Sequence, residues 1–238
     1  MRKVILVMLA ILVAHCATSP QQARKELIGM GYSYSKHSFV ESVKKEDEKA
    51  VRLFLLAGMQ VNVKVGGYTV LEHAVQSSQM VQILLAAGAD ANAGGGVATP
   101  LLEAVARGDS VSVRLLLEAG ATVDTGDRKG YTALMAAADR GKEEIVRILL
   151  AASAQGNARS EQGHTALGEA RTKGHQSLVD LLVAAGADER LVGMTLKALL
   201  EPERLVEQAP ARYEVVFETS AGPFAVAVER ALAPRGAD

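Results

Sequence analysis

Few residues in this chain could carry chemistry: five histidines, one cysteine and a run of glycines. The histidines are His15, His37, His73, His164 and His175. No two stand at the i, i+3 or i+4 spacing that brings imidazoles from one helix to a shared metal ion, so no metal site is expected. Cys16, the only cysteine, rules out an intramolecular disulfide and a thiolate cluster. Gly94-Gly95-Gly96 could cradle a phosphate only if a Lys and then a Ser or Thr opened the next helix, and Ala98-Thr99-Pro100 supplies no Lys. A hairpin that needs positive φ explains those glycines. There is no Gly-x-Ser-x-Gly elbow to expose a nucleophile. The sequence therefore assigns no catalytic residue and no cofactor.

The elements that could position a binding surface are better marked. Hydrophobic residues make up 49% of the 238, yet aromatics are only 4% and Trp is absent, so Ala, Val and Leu must build the core. That composition suits closely packed helices. A net charge of −1 offers no basic footprint, and nucleic acid is not expected as a partner.

Residues 1–16 have the layout of an export signal. Arg2 and Lys3 precede the apolar run Val4 to Ala14, followed by His15, Cys16, Ala17, Thr18, Ser19 and Pro20. As a helix those apolar residues would span about 16 Å, against roughly 30 Å for a hydrocarbon core, which argues against a transmembrane span. A single Cys directly after the apolar run resembles the bacterial lipoprotein signal, in which that Cys becomes lipid-modified, although His15 stands where that family has a small residue. The resemblance implies lipidation at Cys16, a place in the bacterial cell envelope on the periplasmic side, and contact with the membrane only through the lipid.

Beyond a linker over residues 17–38, a period appears. Thr69, Thr99, Thr132 and Thr165 recur at spacings of 30, 33 and 33, and Gly58, Gly88, Gly120, Ser153 and Gly186 follow the matching Leu-Leu segments. Each unit reads as two short helices. In the clearest unit Thr99 caps and Pro100 opens the first helix, with Leu101, Ala104 and Val105 on one face. Gly108 and Asp109 break and restart the chain, and Val113, Leu116 and Leu117 repeat the spacing before Gly120 ends the second helix. Helices this short are marginal alone, so stacking must stabilise them.

The period, with Gly-x-Thr-x-Leu opening and Leu-Leu-x-x-Gly-Ala closing each unit, resembles the ankyrin repeat over residues 39–188. The implied fold is mainly α, a solenoid of about five helix-turn-helix units. Phe39 to Gly58, with the charged turn Lys44 to Lys49, reads as a capping unit. The resemblance implies a protein partner bound by hairpin tips and by the concave face of the inner helices. Carried over by position, the tip residues are Tyr68, Asp127, Arg128, Lys129, Tyr131, Glu161, Gln162 and His164. Those on the inner helices are His73, Glu103, Arg107, Asp139, Arg140, Glu169 and Lys173. The sequence departs from the family in lacking the His of Thr-Pro-Leu-His in every unit, in a second unit two residues short between Ala74 and Val81, and in Arg171 at a small-residue position.

Residues 189–211 read as a helix around Met194 to Leu200 followed by a linker. Tyr213 to Thr219 and Phe224 to Glu229 then alternate as two strands about the turn Ser220 to Pro223, giving a C-terminal β-hairpin. From Phe217-Glu218-Thr219 through Gly222-Pro223-Phe224 to Ala233-Pro234-Arg235-Gly236-Ala237-Asp238, the wording looks like the opening of a cyclophilin-type peptidyl-prolyl isomerase. In that family the pocket residues come later, so none is carried onto residues 212–238. Two functions stand as expectations: an exported protein-binding scaffold, and an isomerase of which this chain holds the repeats and the first hairpin.

Overall fold

The structure, a computed structural model, describes residues 19–94, 98–188, 212–219 and 222–229. The signal segment with Cys16, the glycines Gly95 and Gly96, and the helix and linker expected over 189–211 lie outside the described residues. The chain divides into two units, Met1–Gly193 and Met194–Asp238.

Eleven helices are found among the described residues. The first, α1 (Pro20–Gly29), falls in the stretch read as a linker. Ser19 caps it by accepting from the Gln22 N–H, Pro20 sits in its first turn, and Ala23 and Leu27 are buried. The reason it escapes a periodicity reading is its thin apolar face: two core residues leave a mostly polar helix. Five helix pairs follow. They are α2 (Lys36–Lys44) with α3 (Glu48–Leu56), α4 (Val70–Ala74) with α5 (Ser78–Ala86), α6 (Pro100–Arg107) with α7 (Ser110–Glu118), α8 (Ala133–Asp139) with α9 (Glu143–Ala151), and α10 (Ala166–Thr172) with α11 (Gln176–Ala184). First helices α4, α6, α8 and α10 stack on one another, as do second helices α5, α7, α9 and α11. This is the helix-turn-helix solenoid that the period implies.

The four threonines start the first helices for one physical reason. Each side chain accepts from a backbone N–H three residues on, Thr69 from Glu72 at 3.2 Å, Thr99 from Leu102 at 3.2 Å, Thr132 from Met135 at 3.4 Å and Thr165 from Gly168 at 3.0 Å, filling a donor that the helix leaves without a partner. In the second pair Glu72 reciprocates by accepting from the Thr69 N–H at 2.6 Å, completing a capping box. This unit is two residues short because α4 has 5 residues where α6 has 8, while the turn after α4 is one residue longer.

Second helices end alike. The N–H two residues past the cap returns to a carbonyl in the last turn, from Ala89 to Leu84, Ala121 to Leu116, Ala154 to Leu149 and Ala187 to Leu182, each at 2.9–3.0 Å. The residue between is left-handed, a glycine in three of these four units and Ser153, at φ 65, in the other. A Cβ in that region is strained by about 1–2 kcal/mol. Ser153→Gly should therefore raise stability by up to about 1 kcal/mol after the extra unfolded-state freedom of glycine is offset; a denaturant midpoint that falls would contradict this cap.

A second periodic device joins neighbouring units. Asn62 Oδ1 accepts from the Asp90 N–H at 2.9 Å, and Asp124 Oδ1 accepts from the Gln155 N–H at 2.9 Å. Asn92 and Asn157 grip twice: Asn92 takes the Thr122 N–H at 2.7 Å and donates to Gly120 O at 2.9 Å, and Asn157 takes the Asp188 N–H at 2.7 Å and donates to Gly186 O at 3.2 Å. Replacing Asn92 with Ala should cost about 1–2 kcal/mol, the net worth of two such bonds. Urea unfolding reads this directly, and a change below about 0.3 kcal/mol would show that water replaces both bonds without loss.

The second unit holds the expected hairpin, β3 (Arg212–Thr219) antiparallel to β4 (Gly222–Glu229), with Tyr213 opposite Val228 and Phe217 opposite Phe224. A much shorter pair in the first unit, β1 (Lys64–Val65) and β2 (Tyr68–Thr69), closes over Gly66 and Gly67, both at positive φ as a two-residue hairpin requires.

Candidate functional site, a protein-interaction face

The first helices and the hairpins before them form one face, and the residues expected to make contacts fall on it in three groups. The first surrounds a cleft of about 340 Å³ lined by Tyr68, Glu72, His73, Ala98, Glu103 and Arg107. Tyr68 is 45% exposed because β1–β2 lifts it clear of the core. Its ring meets that of His73, one turn into α4, at 5.8 Å between centroids. Burial, reinforced by the nearby charge of Lys44, pushes the His73 pKa below its ordinary value, so the ring is neutral at pH 7. On α6 Arg107 donates through Nε to Glu103 Oε1 at 3.1 Å, an i,i+4 pair.

The second group centres on Tyr131 and His164, whose rings meet edge to face at 5.9 Å. The Tyr131 phenol is held well above its usual range, first by burial and then by the carboxylates of Glu169 and Asp139. His164 Nδ1 pairs with Glu169 Oε1. Glu169, expected among the contact residues, is instead buried at 8% exposure. Its carboxylate is occupied inside the face, and it can shape the surface only through His164. In the third group Asp139 gathers two cations, Lys173 Nζ at 3.2 Å and Arg140 Nη1 at 3.7 Å. Because Asp139 lies on α8 and Lys173 caps α10, that pair spans two repeats.

The hairpin tips divide between structure and surface. Asp127 Oδ1 accepts from the Lys129 N–H at 2.8 Å and the Tyr131 N–H at 2.9 Å, which commits this carboxylate to closing its own turn. In the next repeat Ser160 closes the turn in the same way, its hydroxyl accepting from the His164 N–H at 3.1 Å. The tips are linked, since the Glu161 N–H donates to Lys129 O at 2.9 Å. Arg128, Lys129, Glu161 and Gln162 have exposed side chains.

Sequence reasoning missed Glu72 and Ala98 as members of the cleft. Glu72 carried a signal, the Thr-x-x-Glu spacing of a capping box. Ala98 carried one too, as the only small side chain in the row Tyr68, Ala98, Tyr131, His164 that precedes the four threonines. Among the described residues no group of three or more His, Cys, Asp or Glu could hold a metal ion.

Residues 98–191 match a family model described as ankyrin repeats, in three copies. The match takes in α6 to α11, and the α4–α5 pair before it has the same threonine cap and the same last-turn return. No curated protein matches the chain. Ankyrin repeats generally mediate protein–protein contacts, which implies a protein-binding scaffold over the matched residues.

Proposed function

We propose that the repeats bind another protein through the first-helix face, and that they do so in the bacterial cell envelope. The observation that carries the binding reading is the run of exposed or half-exposed side chains across consecutive repeats, Tyr68, Arg107, Tyr131, Arg140 and Lys173, on a support of stacked helices. Tyrosine and arginine are enriched in the energetic centres of protein interfaces, because each brings large area and a polar end. The test is affinity capture from the native host by the chain and by a Tyr68→Ala, Arg107→Ala, Arg140→Ala triple variant. A discrete protein retained by the first and lost by the second supports the reading; equal retention removes it. The substitutions are at the surface and should leave folding within about 0.5 kcal/mol each.

The envelope address rests on the basic, apolar and Cys16 layout of residues 1–16. Detergent partitioning of the chain and of Cys16→Ser separates its outcomes. Loss of the detergent-phase fraction on substitution supports lipidation, and two aqueous proteins leave an ordinary export signal.

A second reading, a cyclophilin-type isomerase beginning at the C-terminal hairpin, rests on the resemblance of the wording from Phe217 to Asp238 alone. Two strands cannot enclose a pocket that lowers a barrier of about 18–20 kcal/mol. The 238-residue chain should not accelerate proline isomerisation in a peptide, and activity in a longer product of the same reading frame would favour this reading.

A further inference from the structure

The row of side chains before the capping threonines contains three rings and one methyl group: Tyr68, Ala98, Tyr131 and His164. Where two rings adjoin, at Tyr131 and His164, they meet edge to face at 5.9 Å. At Ala98 the missing ring leaves the cleft, open between Tyr68 and His73 on one side and the Glu103–Arg107 pair of α6 on the other. At about 340 Å³ it stands at the small end of ligand pockets, which run from roughly 300 to 1,000 Å³, and holds one large side chain.

We propose that this cleft receives an arginine side chain of the partner protein, its guanidinium stacked on the Tyr68 ring and paired with the Glu103 carboxylate. The inference rests on the protein-binding reading. Tyr68 offers an exposed ring face, on which a planar cation is attracted by the ring quadrupole. Arg107 engages Oε1 of Glu103, so a second guanidinium can approach the same carboxylate through Oε2. Glu103 is the carboxylate that meets the cation: Glu72 is engaged by the Thr69 N–H, Arg107 takes one oxygen of Glu103, and His73, beside Lys44, is neutral at pH 7. An aromatic visitor would strip water from the Glu103 carboxylate and offer it no donor in return, and an acidic one would meet it as a like charge. Lysine lacks the planar fork needed to stack and pair together.

The probe is a random peptide library displayed on phage and selected on the immobilised full chain. Selected peptides should share an arginine, and changing it to alanine in the leading peptide should weaken binding at least tenfold, with lysine weakening it by a smaller factor. Ala98→Tyr, which places at this position the residue that Tyr131 provides in the next repeat, and Glu103→Gln should each weaken the same peptide at least tenfold. If Ala98→Tyr loses its helical circular dichroism, Glu103→Gln decides alone. Selected peptides with no shared arginine, or an arginine peptide indifferent to Glu103→Gln, would overturn the cleft assignment and leave the protein-binding reading intact. A selection that yields no peptide, together with equal capture by the triple variant above, would overturn both.

Discussion

Phe54→Ala should destabilise the chain by about 3–5 kcal/mol, the range for emptying a buried aromatic site that cannot collapse. Phe54 lies on α3 with no exposed surface and is the hub of an aromatic cluster. Phe39 stands 5.4 Å from it between ring centroids, Tyr32 meets it edge-on at 5.9 Å, and Tyr34 stacks at 6.2 Å. These are four of the nine Phe and Tyr residues in the chain, gathered at the amino-terminal end of a stack whose interior elsewhere is largely aliphatic. The cluster also fastens the surface layer. Tyr34 donates its hydroxyl to Ala57 O at 3.0 Å, and Arg24 of α1 lies 4.1 Å over the Tyr34 ring while donating to the same carbonyl at 3.3 Å. In a solenoid each repeat contacts only its neighbours, so the loss should be local first. Hydrogen exchange should accelerate over residues 20–58 well before it does over 133–184. Uniform acceleration would show that the end repeat does not unfold separately.

Leu116→Ala, at the centre of the stack, should cost about 2–5 kcal/mol. Leu116 is fully buried on α7, where the second helices of adjacent repeats meet, and its carbonyl accepts from the Ala121 N–H at the end of the helix. Lys129→Ala, exposed at a hairpin tip, should stay within about 0.5 kcal/mol. Comparable shifts in denaturant midpoint for the two variants would refute a fold held together by stacking. Together with Phe54→Ala this pair distinguishes an interior contact, which lowers the global midpoint, from an end contact, which broadens the transition.

The stretches of this fold that could be read from sequence are those that repeat. Thr99, Pro100, Gly108, Asp109 and Gly120 each meet a backbone need that few residues satisfy, so their order announces two helices and a stop before any contact is known. The repeat from Phe39 to Gly58 could be placed by its ending alone, and the structure starts it at Lys36 behind a Ser35 cap. Helix α1 was hidden because its stability comes from packing on α3, a tertiary effect with no local period. At the candidate site the positions were legible and the states were not. Tyr68 and Tyr131 occupy equivalent places, yet one is lifted by its β-hairpin and exposed at a cleft with Ala98 in the next repeat, and the other is half-buried against His164. Asp127 and Glu169 are polar residues on the expected face whose oxygens turn inward, one to its own turn and one to a histidine. A position rule alone cannot separate such residues from Arg140 and Lys173, which lie beside them with exposed cationic ends.

The first-helix face, and not the second-helix face, should meet the partner protein. Site-specific photo-crosslinking in the native host measures this directly, with a photoreactive residue placed at Arg140 beside α8 or at Arg147 on α9, both of them exposed. The expected result is one discrete crosslinked protein from position 140 and none from position 147. Crosslinks from 147 alone, or from neither position in cells where the chain is abundant and folded, would contradict it.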